Sequence, residues 1–138
     1  MKVNVNDRVF TGKNYKTIIE QIDQYVRKMF AGSYNPVLVR GPCSRWSAIL
    51  YRTPNGWWYR LINNADDPLV DDGLSANSAR SRDEGIAKIK YHIAQLVWGD
   101  GLITTQQAEE YLADTPTALD EFRDYVRMMI RVTKEAIQ

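Results

Sequence analysis

Trp46-Ser47-Ala48-Ile49-Leu50-Tyr51-Arg52-Thr53-Pro54-Asn55-Gly56-Trp57-Trp58-Tyr59-Arg60-Leu61-Ile62 reads as two strands and the turn that joins them. Aromatic and aliphatic residues fill both runs, Trp46 to Thr53 and Trp57 to Ile62. Between them, proline presets φ at the first turn position and Asn55 suits the second. Gly56 then accepts the positive φ of a three-residue hairpin loop. Registered about that loop, Arg52 faces Trp58, Leu50 faces Arg60 and Ala48 faces Ile62 on one side of the hairpin. Ser47, Ile49, Tyr51, Trp57, Tyr59 and Leu61 share the other. The second set is more uniformly apolar and is expected to face the core, leaving Arg52, Trp58 and Arg60 on a free surface. A slip of one residue re-sorts these faces, so the expectation rests on the length of the loop.

Working outward, Val37-Leu38-Val39-Arg40 adds a strand before the turn Gly41-Pro42-Cys43-Ser44. Upstream, Tyr15, Ile18, Ile19, Ile22, Tyr25, Val26, Met29 and Phe30 recur at three- and four-residue intervals, which predicts a helix from about Asn14 to Phe30 stopped by Gly32. Downstream, Asn63 to Arg80 is polar and acidic and reads as a long surface loop, with room for a short edge strand around Ala76 to Arg80. Ser81-Arg82-Asp83-Glu84 is a capping box, and the stripe Ile86, Ile89, Ile93, Leu96, Val97 that follows predicts a helix ending near Trp98-Gly99. Thr104 to Gln107 caps a short helix to about Ala113. Thr115-Pro116 starts the last helix, whose inner side is Leu119, Phe122, Tyr125, Val126, Met129, Ile130 and Thr133. The expected architecture is one α+β domain over residues 1–138. It consists of an N-terminal helix, a three-stranded antiparallel meander and three C-terminal helices packed on one face of the sheet, with an acidic loop at 64–80.

A chain of 138 residues with 44% hydrophobic and 25% charged residues has ordinary globular composition. Its start lacks the apolar run of a signal peptide, and no stretch approaches the ~18 apolar residues of a membrane helix, so a cytoplasmic protein without membrane contact is expected. Cys43 is the one cysteine and His92 the one histidine. A zinc site or a Cys-His nucleophile would need partners from distant segments, and both are expected to be structural. Asp66, Asp67, Asp71 and Asp72 lack the glutamate that an EF-hand loop requires and read as a solvated turn. No phosphate-binding glycine loop and no nucleophile elbow is present. The expectation is a binding protein without catalytic residues, metal or cofactor.

Two kinds of partner fit the composition. Residues 1–63 carry ten Lys or Arg against three Asp or Glu, while 64–138 carry eight against fourteen. From Asn35 to Ala65 there is no acid, and Arg40, Arg45, Arg52 and Arg60 alternate with Trp46, Trp58 and Tyr59. Together with Arg82 this offers guanidinium groups for phosphates and rings for bases, the ingredients of a DNA- or RNA-binding sheet. The layout of Trp46–Thr53, Gly56–Ile62 and Ser81–Ala87 resembles that of AP2-type DNA-binding domains, which implies a sheet that reads the major groove and a helix that braces it. That resemblance covers under half of the chain, carries no family-specific motif and is interrupted by Asp66 to Asp72. Double-stranded-RNA-binding domains share the order helix, three strands, helix, but Asp83 and Glu84 stand where their basic cluster would be.

The other partner is a protein or a second copy of the chain. The last helix carries apolar residues on more than one face. Tyr125, Met128 and Val132 offer a strip for a homodimer or a partner helix, and a protein-binding regulator, adaptor or inhibitor is the function expected first.

Overall fold

The computed structural model describes residues 2–5, 8–29, 37–53, 56–63 and 77–137. Strands β1 (Lys2–Val5) and β2 (Arg8–Thr11) form a separate two-stranded sheet, followed by helix α1 (Tyr15–Met29). Strands β3 (Val37–Arg40), β4 (Trp46–Thr53), β5 (Gly56–Asn63) and β6 (Asn77–Ala79) make a second sheet in that spatial order, every pair antiparallel. Helices α2 (Arg82–Gly99), α3 (Thr105–Tyr111) and α4 (Pro116–Ile137) complete the chain. The meander therefore has four strands, not three. Its added edge strand, β6, falls within Ala76 to Arg80, where the sequence leaves room for one, and the aspartates at 66–72 fall outside the described residues.

The hairpin register corrects the expected faces. Thr53 pairs with Gly56, Arg52 with Trp57, Leu50 with Tyr59 and Ala48 with Leu61, so two residues connect the strands and Gly56 belongs to β5. Its φ of +119° is satisfied at the strand's first position rather than within the loop. Ala48, Leu50 and Arg52 consequently share a face with Leu61, Tyr59 and Trp57. Ser47, Ile49 and Tyr51 share the opposite face with Ile62, Arg60 and Trp58.

Both faces are apolar at their centres, and both are covered. On one side Ile49 and Ile62 pack with Phe10 of β2 and with Ile18 and Ile22 of α1. On the other, Val39, Ala48, Leu50, Tyr59 and Leu61 pack with Ile89, Ile93 and Val97 of α2. The expectation of helices on a single face is thus overturned: α1 and α2 lie on opposite sides of the sheet. A free sheet surface of the kind that the AP2 resemblance implies is not present at its centre.

Helices α3 and α4 form a further layer outside α2. Ala94 of α2 is buried with Ala108, Leu112, Ala118, Phe122 and Val126, with Ala87, Tyr91 and Trp98 packed around them. Helix α2 is therefore apolar on two adjoining stripes, one for the sheet and one for the outer helices. Its start is set by Ser81, whose Oγ accepts from the Glu84 backbone N–H at 3.1 Å. The Glu84 carboxylate reaches back to the Arg80 N–H at 3.1 Å. A cap of this kind stabilises a helix by roughly 1 kcal/mol. Among the described helices, none is long and apolar enough to cross a membrane.

Candidate functional site

The feature that stands out is where α2 stops and α4 does not. Gly101 takes a φ of +73°, which lets the chain turn sharply while the Asp100, Gly101 and Leu102 amides donate to Leu96, Trp98 and Val97 carbonyls at 2.9–3.0 Å. A capping box follows at once: the Thr104 hydroxyl accepts from the Gln107 amide, and Gln107 Oε1 from the Thr104 amide. Trp98, in the last turn of α2, is fixed by this junction. Its indole N–H donates to Thr105 Oγ1 at 3.0 Å. Phe122 and Tyr125 of α4 meet it edge-on, with ring centroids 5.9 Å away in both cases.

Helix α4 continues well beyond that contact. Ala118, Phe122 and Val126 are its buried residues. The same face then runs on through Met129, Ile130 and Thr133 toward Ile137 for three more turns. Ile130 is 50% exposed, Val132 48%, Met128 44% and Ile137 80%. The expected inner side thus holds as far as Val126, while beyond it Ile130 and Thr133 lie open. Trp98, Gly99, Tyr125, Met129, Ile130, Thr133 and Lys134 line a groove of about 470 Å³ at this step. Thr133 does not make its floor polar, because its hydroxyl donates to the Met129 carbonyl at 2.8 Å within the helix. Among the described residues that line the groove, Lys134 supplies the one charge.

Of the residues expected to bind protein, Tyr125 lines the groove. Met128 and Val132 sit beside it on the exposed flank. Trp98 was not anticipated, since its role depends on α2 ending beside α4, which no local pattern states.

The strand residues expected to bind nucleic acid are divided between the two faces of the sheet, Arg40, Trp58 and Arg60 on one and Arg52 on the other. Arg52 lies exposed on the α2 side of the sheet, its guanidinium 6.0 Å from the Trp57 ring centroid. Trp58 and Arg60 are half-buried on the α1 side, opposite Tyr51 and Ile49. Arg40 is exposed at the end of β3, Arg45 in the turn after it and Arg82 at the first position of α2. The Arg40 carbonyl accepts a 2.6 Å hydrogen bond from the Tyr111 hydroxyl, which ties α3 to the sheet.

His92 is placed at the sheet–helix interface, where its Nδ1 and the hydroxyl of fully buried Tyr59 share a hydrogen bond of 2.9 Å. Burial lowers the His92 pKa, with Glu121 opposing and Lys88 adding to the shift. Burial likewise raises that of Tyr59. Cys43 is half-buried and reduced. Among the described residues, no three His, Cys, Asp or Glu side chains gather where they could hold a metal ion.

Comparison with family models, with curated proteins and with solved structures finds no match to any of them.

Proposed function

We propose that this chain is a protein-binding module without chemistry of its own, and that the C-terminal half of α4 is its docking surface. The observation that supports the reading is the apolar stripe of α4. It is covered by the body of the protein up to Val126 and continues through half-buried Met129 to exposed Ile130 and Ile137. An open apolar groove beside a helix suits a partner helix that lays its own i, i+3, i+4, i+7 stripe into it. Lys134 at the rim favours an acidic residue on that partner's flank.

Among the described residues that line the groove Lys134 is the one charged side chain, and we take the partner to be a different chain, an amphipathic helix with acidic residues on its flank.

The test uses two synthetic amphipathic helices that share a leucine stripe and differ in having glutamate or lysine on their polar face. NMR titration would follow the Trp98 indole N–H and the Met129 methyl group. The glutamate helix is expected to bind saturably, the lysine helix more weakly, and Lys134→Glu to reverse that order. Equal response to both helices, or a response that survives Met129→Asp, would count against the reading. A concentration-dependent dimer in light scattering would replace the foreign helix with a second copy.

A further inference from the structure

A second hollow, of about 360 Å³, lies between the β1–β2 hairpin and α1, lined by Arg8, Phe10, Gln21, Gln24, Tyr25 and Lys28. The α1 residues follow one another at helical spacing and so present one face. The hairpin supplies the other wall. Arg8 is held across it, its guanidinium carbon 4.9 Å from the Tyr25 ring centroid and 5.4 Å from that of Phe10. These two rings are 5.3 Å apart and inclined at 58°, which gives the guanidinium a tilted aromatic platform. Gln21 is anchored too: its side-chain N–H donates to the Thr11 carbonyl at 3.1 Å, fastening α1 to the hairpin.

The charge of this hollow is one-sided. Among the described residues its lining contains two cations and no carboxylate. Among the described residues neither Arg8 nor Lys28 meets an acid, whereas Lys88, Lys90, Arg123 and Arg127 each lie against a carboxylate at 2.8–3.3 Å. A guanidinium stacked on rings keeps its N–H edge free and loses little freedom when it binds a bidentate anion. The lysine adds a point charge, and the glutamine amides add neutral donors. The volume is at the small end of the ~300–1000 Å³ typical of ligand sites.

We propose that the hollow binds a phosphomonoester, with Arg8 gripping the phosphate as a fork and Lys28 neutralising its second charge. Both cations then act on one anion in a partly shielded place, and binding weakens as salt is added.

The experiment is an NMR titration of the full chain at low ionic strength with adenosine monophosphate, ribose 5-phosphate, adenosine and a short single-stranded oligonucleotide lacking terminal phosphates. The Arg8 Nε–H and the Gln21 and Gln24 amide signals are the readout. The two phosphomonoesters are expected to bind saturably and adenosine not at all. Lys28 is exposed, so Lys28→Glu leaves the fold intact, which its melting temperature checks, and should lower affinity at least about tenfold. Arg8→Lys keeps the charge, loses the fork and should weaken binding severalfold. Absence of saturable shifts with the phosphomonoesters, equal shifts with adenosine, or shifts unaffected by Lys28→Glu would overturn the proposal. Tighter binding of the oligonucleotide through the same two cations would also overturn it and place a nucleic-acid strand there instead.

Discussion

Helices α2 and α4 are of similar length, 18 and 22 residues, and the chain uses them in opposite ways. Helix α2 is enclosed on two sides, with Gly85, Ile89, Ile93, Ala94 and Val97 all buried between the sheet and the outer helices. Helix α4 has one apolar stripe and spends only its first half on the core. A helix consumed by folding tolerates change nowhere along its inner faces. One that outlasts its support divides into a half that stabilises the protein and a half whose apolar residues gain nothing from folding.

The contrast predicts unequal costs, greatest in the supported half of α4. Phe122 is fully buried against Trp98, and Phe122→Ala should destabilise the protein by about 3–5 kcal/mol in urea denaturation. Helix α2 is tested next through the turn it covers. A Cβ added at Gly41 would lie 2.6 Å from the Trp46 carbonyl oxygen and 2.9 Å from the Ile93 side chain. The Gly41 amide donates to that same carbonyl at 3.1 Å. Backbone on one side and a buried helix on the other leave no room to yield, so Gly41→Ala should cost about 1–3 kcal/mol. A value near zero would show that α2 is less tightly held than its burial indicates.

His92 sharpens the comparison by pH. Its folded-state pKa lies below the ordinary value because α2 buries the ring against Tyr59. The unfolded chain therefore takes up the proton first as pH falls through about 6.5. Its contribution is fully present above that value and is lost progressively down to the lower folded pKa. Urea midpoints measured across this window should fall with pH, and His92→Gln should flatten that slope relative to the native chain. The smallest effect belongs to the free half of α4: Ile130→Ser should change stability by no more than about 0.5 kcal/mol, although Ile130 is as apolar as residues whose loss is costly.

Much of this arrangement was legible because its signals are local. The Ser81–Glu84 and Thr104–Gln107 boxes, the stripe of α2 and Pro116 each carry their meaning within one or two turns. The sheet was harder, because Gly56 accepts a positive φ equally in a three-residue loop or at the start of a strand, and that one residue sorts every side chain of β4 and β5. The more telling signal was that Ala48 and Leu50 alternate with Ile49 and Tyr51, leaving no polar face. The usual one-sided antiparallel sheet obscured what a doubly covered one requires. The β1–β2 hairpin was also missed, because four-residue strands are too short to stand out. Tyr125 followed from periodicity. The groove beside it did not, since only the relative ends of α2 and α4 create it.

Residue-by-residue amide hydrogen exchange along α4 in the free protein tests the division of that helix most directly. Protection near that of the core is expected from Ala118 to Val126, followed by a steep fall from Met129 to Ile137 that is the same at every protein concentration. Uniform protection through Ile137 in dilute solution would contradict it, because the distal half would then be held by the chain itself and would have no face to offer.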